Sequence, residues 1–300
     1  MLFRSTDWRR LQRFNHLADP SRLKVGSTLR LPAAWLRQQP TVAEVDHVLG
    51  SVSVQRDGRP AEPVAAGDTL RAGDVLQAQP ESSLSLKFAD CSRLLLRPDS
   101  ELRIGRLVQY GGNSAHRSQL RLQRGSADSS VPPPAPGGWR RYEIETPSVN
   151  LGVRGTAFRA YVEPQTRRAR LEVLEGTVAV TGVGVRARGP QRVAAGQGAV
   201  FDVGQPSAPP RRLPEAPDLS GVAPRLERVP LRLAWAAEPG VVAWRAQVLE
   251  PGTDAALLLD GSFDTPQARW PDLPDGRYEL RVRAIDERGQ IGRASCRERV

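Results

Sequence analysis

His16, His47 and His116 are the side chains best suited to metal or proton chemistry, yet none has a Cys, His or carboxylate partner at ligand spacing. Glu143, Glu145, Glu172 and Glu175 could be imagined as paired carboxylates for glycan hydrolysis. Glu143 and Glu145 are two apart on one strand and share a face, which on a half-buried strand is the solvated side. Gly182-Val-Gly184-Val-Arg-Ala187 superficially fits a dinucleotide fingerprint, but strands flank it and the required βαβ context is absent. No nucleophile elbow and no phosphate-cradling loop occurs. Cys91 sits in an apolar run over residues 84–96, where a lone cysteine packs as a small hydrophobe. A disulfide between Cys91 and Cys296 is not expected. Arg154, between Val153 and Gly155, is the one ionisable residue whose setting invites a ligand, because a guanidinium can grip a carboxylate or phosphate in a fork. The favoured reading is a brace to a neighbouring strand's carbonyls or a glutamate, with ligand binding the minority one. No catalytic, metal or cofactor site is expected, and the chain reads as non-enzymatic.

The elements that would position these residues are strands. From Val45 onward the apolar periodicity changes from helical to alternating, with short strands expected over residues 48–54, 64–70, 73–76, 83–88, 92–96 and 101–104. Asp57-Gly58 and the Gly-Asp pairs at 67–68 and 73–74 supply turn chemistry. Strands this short with turns this frequent indicate a sandwich, barrel or β-roll. Residues 49–54 leading to Gly67 echo residues 175–180 leading to Gly196, so a strand–turn–strand unit is repeated. Residues 129–138, rich in Pro and Gly, cannot continue a ladder and are expected to form an exposed loop. A second Pro-rich stretch, within residues 205–223, reads as a semi-stiff linker.

Composition narrows the function. Of 43 basic residues, all but Lys24 and Lys87 are arginine, which reads as the codon habit of a GC-rich genome. The formal charge of +10 suggests nucleic acid at first sight, but the arginines are spread among acids and no nucleic-acid-binding pattern accompanies them. Nucleic acid is therefore not expected as a partner. No apolar run approaches the ~18 residues of a membrane helix. The amino terminus has no apolar h-region, so no signal peptide is read in this sequence.

Resemblances sharpen the picture. Leu151-Gly152-Val153-Arg154-Gly155-Thr156, followed by Phe158, reproduces in order the core block of the FecR domain, an extracytoplasmic all-β module, and the likeness extends over residues 42–204. In that block Gly152, Val153, Arg154, Gly155, Thr156 and Phe158 are expected to be mainly structural, with Thr156 on the ladder and Phe158 in the core. Residues 1–35 resemble the second half of a LysM module. Trp8, Leu11 and Phe14 fall on one face of a short helix, and a closing strand is expected over residues 25–32. LysM modules bind peptidoglycan in a groove between two loops, and the loop implied here is Leu17, Ala18, Asp19 and Pro20. Residues 224–290 resemble a fibronectin type III sandwich, with Tyr278 as its corner tyrosine. Residues 291–300 resemble the translation of a sequencing-adapter oligonucleotide, and the reading frame is expected to be truncated at both ends.

The expected fold is mainly β: a FecR-like sandwich or roll, then an immunoglobulin/fibronectin-like sandwich, preceded by a short αβ LysM portion. The implied role is a periplasmic, peptidoglycan-associated scaffold or sensor that contacts an unidentified envelope protein. The alternative is a FecR-type transmembrane anti-sigma regulator of iron-uptake signalling, whose domain order this sequence does not follow.

Overall fold

The computed structural model describes residues 8–24, 26–32, 35–111, 115–134, 139–184, 189–223, 225, 230–251, 257–270 and 273–299. Part of the expected loop (135–138), the end of the glycine-rich stretch (185–187) and most of residues 224–229 lie outside them. The fold is mainly β. The chain forms two compact units, Met1–Thr146 with Asn150–Thr156, and Pro147–Val149 with Ala157–Val300.

In the first unit, strands alternate buried and exposed residues, and the buried set is aliphatic. Leu84, Leu86, Leu94, Leu96, Leu102, Ile104, Leu120, Leu122 and Ile144 are fully buried, each contributing roughly 1.5–3 kcal/mol relative to an exposed position. One ladder runs Gln38–Pro40, Ser100–Tyr110, Ala115–Val131, Trp139–Glu145, Val149–Val153. From the start of Ser100–Tyr110 it branches through Val75–Ala78 to Val52–Gln55 and Glu62–Pro63. A second ladder joins Thr69–Leu70, Ala43–Leu49, Ser83–Phe88 and Arg93–Leu96.

The long strand Ala115–Val131 belongs to both ladders. Its first part pairs with Ser100–Tyr110, and Ala127 to Ser130 pair with Arg93–Leu96. The change of partner comes at Gly125, where φ is +78° and the Ser100 side chain and backbone leave no room for a Cβ. The Ser126 amide donates to Ser100 Oγ at 2.8 Å, pinning the bend. Trp139–Glu145 is parallel to the first part of the same strand. Parallel neighbours need a crossover of about a dozen residues, and the stretch of chain between Arg121 and Trp139 is long enough for one. The strand therefore continues through Val131, with Ser129 buried, so the expected loop begins only at Pro132.

In the second unit, Thr156–Val162, Ala169–Glu175, Gln197–Phe201 and Arg211–Arg212 form one ladder, and Thr177–Gly182 pairs with Gln191–Ala194. The echo seen in sequence is a repeat in hydrogen bonding. The Gly67 amide donates to Val45 O and the Gly196 amide to Val173 O, each at 2.8 Å. In both copies the alanine three residues before the closing polar side chain donates to it, Ala65 to Asp68 and Ala194 to Gln197.

The chain then builds a two-stranded sheet, Leu231–Ala234 with Gln267–Trp270, and a four-stranded sheet ordered Leu257–Phe263, Val241–Leu249, Tyr278–Asp286, Ile291–Arg299. Trp235, Trp244 and Trp270 fill the core with Leu233, Val248, Leu280 and Val282. The Tyr278 hydroxyl donates to Pro274 O at 2.6 Å, the contact that defines a tyrosine corner. Two differences from the sequence expectation stand out. Residues 205–223 are not a free linker: Arg211–Arg212 pairs with Gln197 and Gly198, Leu213 is buried, and Leu219 and Val222 enter the sandwich core. Residues 291–299, whose sequence resembles an adapter translation, form a strand against Tyr278–Asp286.

Candidate functional site

Among the described residues, no group of three or more His, Cys, Asp or Glu side chains could hold a metal ion. His16 and His47 are exposed on separate elements and His116 is buried on a third. Cys91 is exposed, at φ +64° in the turn between Ser83–Phe88 and Arg93–Leu96, and so does not pack as a core hydrophobe. The reason is local: Asp90 turns the chain by accepting the Ser92 amide at 3.0 Å, and Cys91 occupies the left-handed corner.

The amino-terminal element is organised by Asn15. Helix Trp8–Phe14 ends there, and its side chain donates to Arg30 O (2.9 Å) and accepts from Arg30 N (2.7 Å), tying the helix to the segment fifteen residues on. Phe14 meets Trp35 edge-on at 5.4 Å, and the Arg10 guanidinium stacks on Trp35 at 4.4 Å. Asp19 caps the turn Pro20–Arg22. Hydrogen bonds from the Ser21 hydroxyl and amide hold its carboxyl below the usual range. Leu17 is half-buried, and Ala18 and Asp19 are exposed. The strand expected over 25–32 is not a ladder member among its described residues; the Asn15 bridge ties it to the helix.

The block quoted from the sequence straddles two strands, Val149–Val153 and Thr156–Val162. Leu151, Val153, Thr156 and Phe158 are buried, Gly152 and Gly155 are half-buried, and Arg154 is exposed. Thr156 Oγ1 donates to Arg154 O at 3.3 Å. The Arg154 guanidinium makes no hydrogen bond or ion pair among the described residues, so it is not the brace weighed above. Gly155, at φ +63°, lies against Pro133.

The brace is Arg140. Its Nε lies 2.9 Å from Asp90 Oδ2, with side-chain exposures of 12% and 1%, and its other nitrogens donate to the carbonyls of Asp90, Pro132 and Pro133. Beside it Tyr142 is fully buried, which pushes its phenol well up; Ser129 Oγ is 3.2 Å away and Phe88 packs edge-on. Arg140 was legible in principle, since it shares strand parity with the inward Tyr142 and Ile144.

The opposite face of the same sheet is polar. Arg117 and Arg141 are register neighbours, and both bind Glu143, at 3.0 and 2.7 Å. Arg121 grips Glu145 through Nε and Nη2 at 3.1 and 2.8 Å, and Gln119 donates to the same carboxylate. Burial alone would raise the Glu145 carboxyl, but these donors and the charges of Arg121 and Arg117 outweigh it and hold it below its ordinary value. Both glutamates read as the solvated side of a strand are thus ion-paired neighbours in a charged carpet.

Residues 74–179 match the FecR protein family. The FecR match takes in the Arg140 brace and the exposed Arg154, but leaves the first copy of the repeat outside. Solved structures of a "putative anti-sigma factor" from Parabacteroides distasonis are similar to parts of the chain. One aligns at 12% identity over 46% of this chain and 59% of its own, with a TM-score of 0.36. A second aligns at 11% identity over 48% and 68%, also at 0.36. The chain thus spans under two thirds of the first of these proteins. No curated protein matches the chain.

Proposed function

We propose that this chain is the extracytoplasmic part of a FecR-type regulator, a non-enzymatic envelope protein that reads another protein by contact and passes that state to a sigma factor. The observation that carries the reading is the FecR match over residues 74–179, within which an exposed turn presents Arg154, a guanidinium with no hydrogen bond or ion pair among the described residues. A guanidinium without an internal partner on a buried-flanked turn is suited to a carboxylate of a protein partner. No described helix is long and apolar enough to cross a membrane. In this reading the membrane helix and cytoplasmic segment belong to the rest of the protein.

A second reading rests on the amino-terminal element. The Asn15 bridge and the capped Asp19 turn order the loop that the LysM likeness assigns to glycan, which supports a peptidoglycan-associated scaffold in the periplasm. Deleting residues 74–179 in the source bacterium separates the two. A regulator loses control of a discrete set of sigma-dependent transcripts, with its attachment to purified wall sacculi unchanged. Unaltered transcripts together with detachment from sacculi after Asp19→Ala would overturn the regulatory reading in favour of the scaffold.

A further inference from the structure

On the outer face of the Ser100–Tyr110, Ala115–Val131, Trp139–Glu145 sheet, charge is arranged against intrinsic stability. In a regular strand Arg103 and Arg106, three apart, would point to opposite faces. The register slips between Gln119 and Leu120, so Gln119 opposes Arg106 while Leu120 opposes Ile104. Gly105 is the extra residue of that bulge, and both arginines end up exposed. Arg103 is then the direct neighbour of Arg121, as Arg117 is of Arg141. Like charges directly opposite each other destabilise a ladder. The carboxylates of Glu143 and Glu145 engage Arg117, Arg141 and Arg121, whereas Arg103 and Arg106 have no hydrogen bond or ion pair among the described residues. Glu101 pairs with Arg124, so among the described residues the face carries a surplus of positive charge in Arg103 and Arg106.

One end of the face is aromatic. Ala115 separates Trp139 from Tyr110 in the same row, and its small side chain lets the two rings meet edge-on at 5.8 Å. Tyr110 is buried beneath, and Trp139 remains 41% exposed. A stable protein interface needs a desolvated apolar centre with several anchors, and single-stranded nucleic acid needs successive stacking platforms. Among the described residues this face exposes a single large ring, Trp139, and has no broad apolar centre. A flat, hydrated polyanion with sugar faces suits it: guanidinium groups grip its carboxylates, and Trp139 lies against a pyranose ring.

We propose that this sheet face is a binding surface for an acidic polysaccharide, distinct from the amino-terminal loop and independent of the regulatory reading. The test is fluorescence anisotropy of labelled polygalacturonate with the purified chain at low and physiological salt. Arg103→Gln/Arg106→Gln, which disturbs no internal partner, is expected to weaken binding about fivefold, and Trp139→Ala is expected to weaken it further. A matched charge change elsewhere, Arg192→Gln/Arg212→Gln, is expected to have less than half that effect, and Asp19→Ala none. Equal losses in both double variants would reduce the effect to net charge and overturn the proposal. So would tighter binding of poly-glutamate or of oligo-dT than of polygalacturonate, or loss of binding in Asp19→Ala. Circular dichroism melts of each variant establish that the fold is kept.

Discussion

Glu145 illustrates how much a single residue's role depends on its cross-strand neighbours. Its carboxyl is half-buried, and Arg121, Gln119 and the charge of Arg117 keep it ionised more readily than in an unfolded chain. The folded state therefore gains from this group at every pH above the ordinary value of 4.5, and that gain is lost as the pH falls below it. Glu145→Gln is expected to lower the urea midpoint at pH 7, with the gap to the parent protein narrowing as the pH falls below 4.5. A midpoint gap that persists unchanged into acid would mean that the carboxylate acts through packing alone. The sequence placed Glu143 and Glu145 on one strand face, because parity needs only local alternation. It could not supply Arg117 and Arg121, which come from a strand joined in parallel register through a crossover. For the same reason Arg154 was given the bracing role that belongs to Arg140: the buried partner, Asp90, lies fifty residues away in sequence.

At the scale of elements, the long strand Ala115–Val131 depends on one residue that lets it leave one ladder and enter another. At Gly125 an added Cβ would lie 2.5 Å from Ser100 Cα and 2.7 Å from Asp99 O, backbone atoms that cannot swing aside, on a φ of +78°. Gly155 shares the left-handed φ but would meet Pro133 only at 3.3 Å. Gly125→Ala is therefore expected to destabilise by about 3 kcal/mol, and Gly155→Ala by about 1.5 kcal/mol. Denaturant unfolding of the two variants checks the ranking, and equal losses would mean that the bend at Gly125 relaxes without strain. Strands of alternating parity were readable from sequence, as were the Gly-Asp turns. The bend was not, because the buried parity changes from even to odd over Gln123 and Arg124, and the polar residues that follow carry no apolar alternation to show it. The boundary of the Pro-rich loop was misplaced for a related reason. Ser129 and Ser130 look like loop by composition, yet Leu94 and Arg93 offer them ladder partners.

At the scale of the whole molecule, composition read residues 205–223 as a spacer, whereas the second unit binds its β-sandwich directly to its Ala169–Glu175 ladder. Leu213, Leu219 and Val222 are apolar residues in a proline-rich context, and their burial there is what the reading of a linker missed. The attachment centres on a buried pair, Arg159 and Glu172, 3.1 Å apart with side-chain exposures of 11% and 7%. Both partners also reach the sandwich: Arg159 donates to Gly292 O at 2.9 Å, and Glu172 accepts the Ile291 amide. Around them Arg170 donates to Gly289 O at 2.6 Å, and Gly198 leaves the space that Gln290 and Leu213 fill. A buried ion pair adds little net stability over an apolar pair, but removing one partner strands the other charge. Glu172→Ala is thus expected to cost about 3 kcal/mol, and to do so by loosening the sandwich from the ladder rather than by opening either core. Hydrogen exchange resolves the two possibilities. Faster exchange confined to residues 286–293 and 169–175, with the Trp235, Trp244 and Trp270 core still protected, fits a latch. Uniform acceleration across the unit would show that the pair is an ordinary part of one cooperative core.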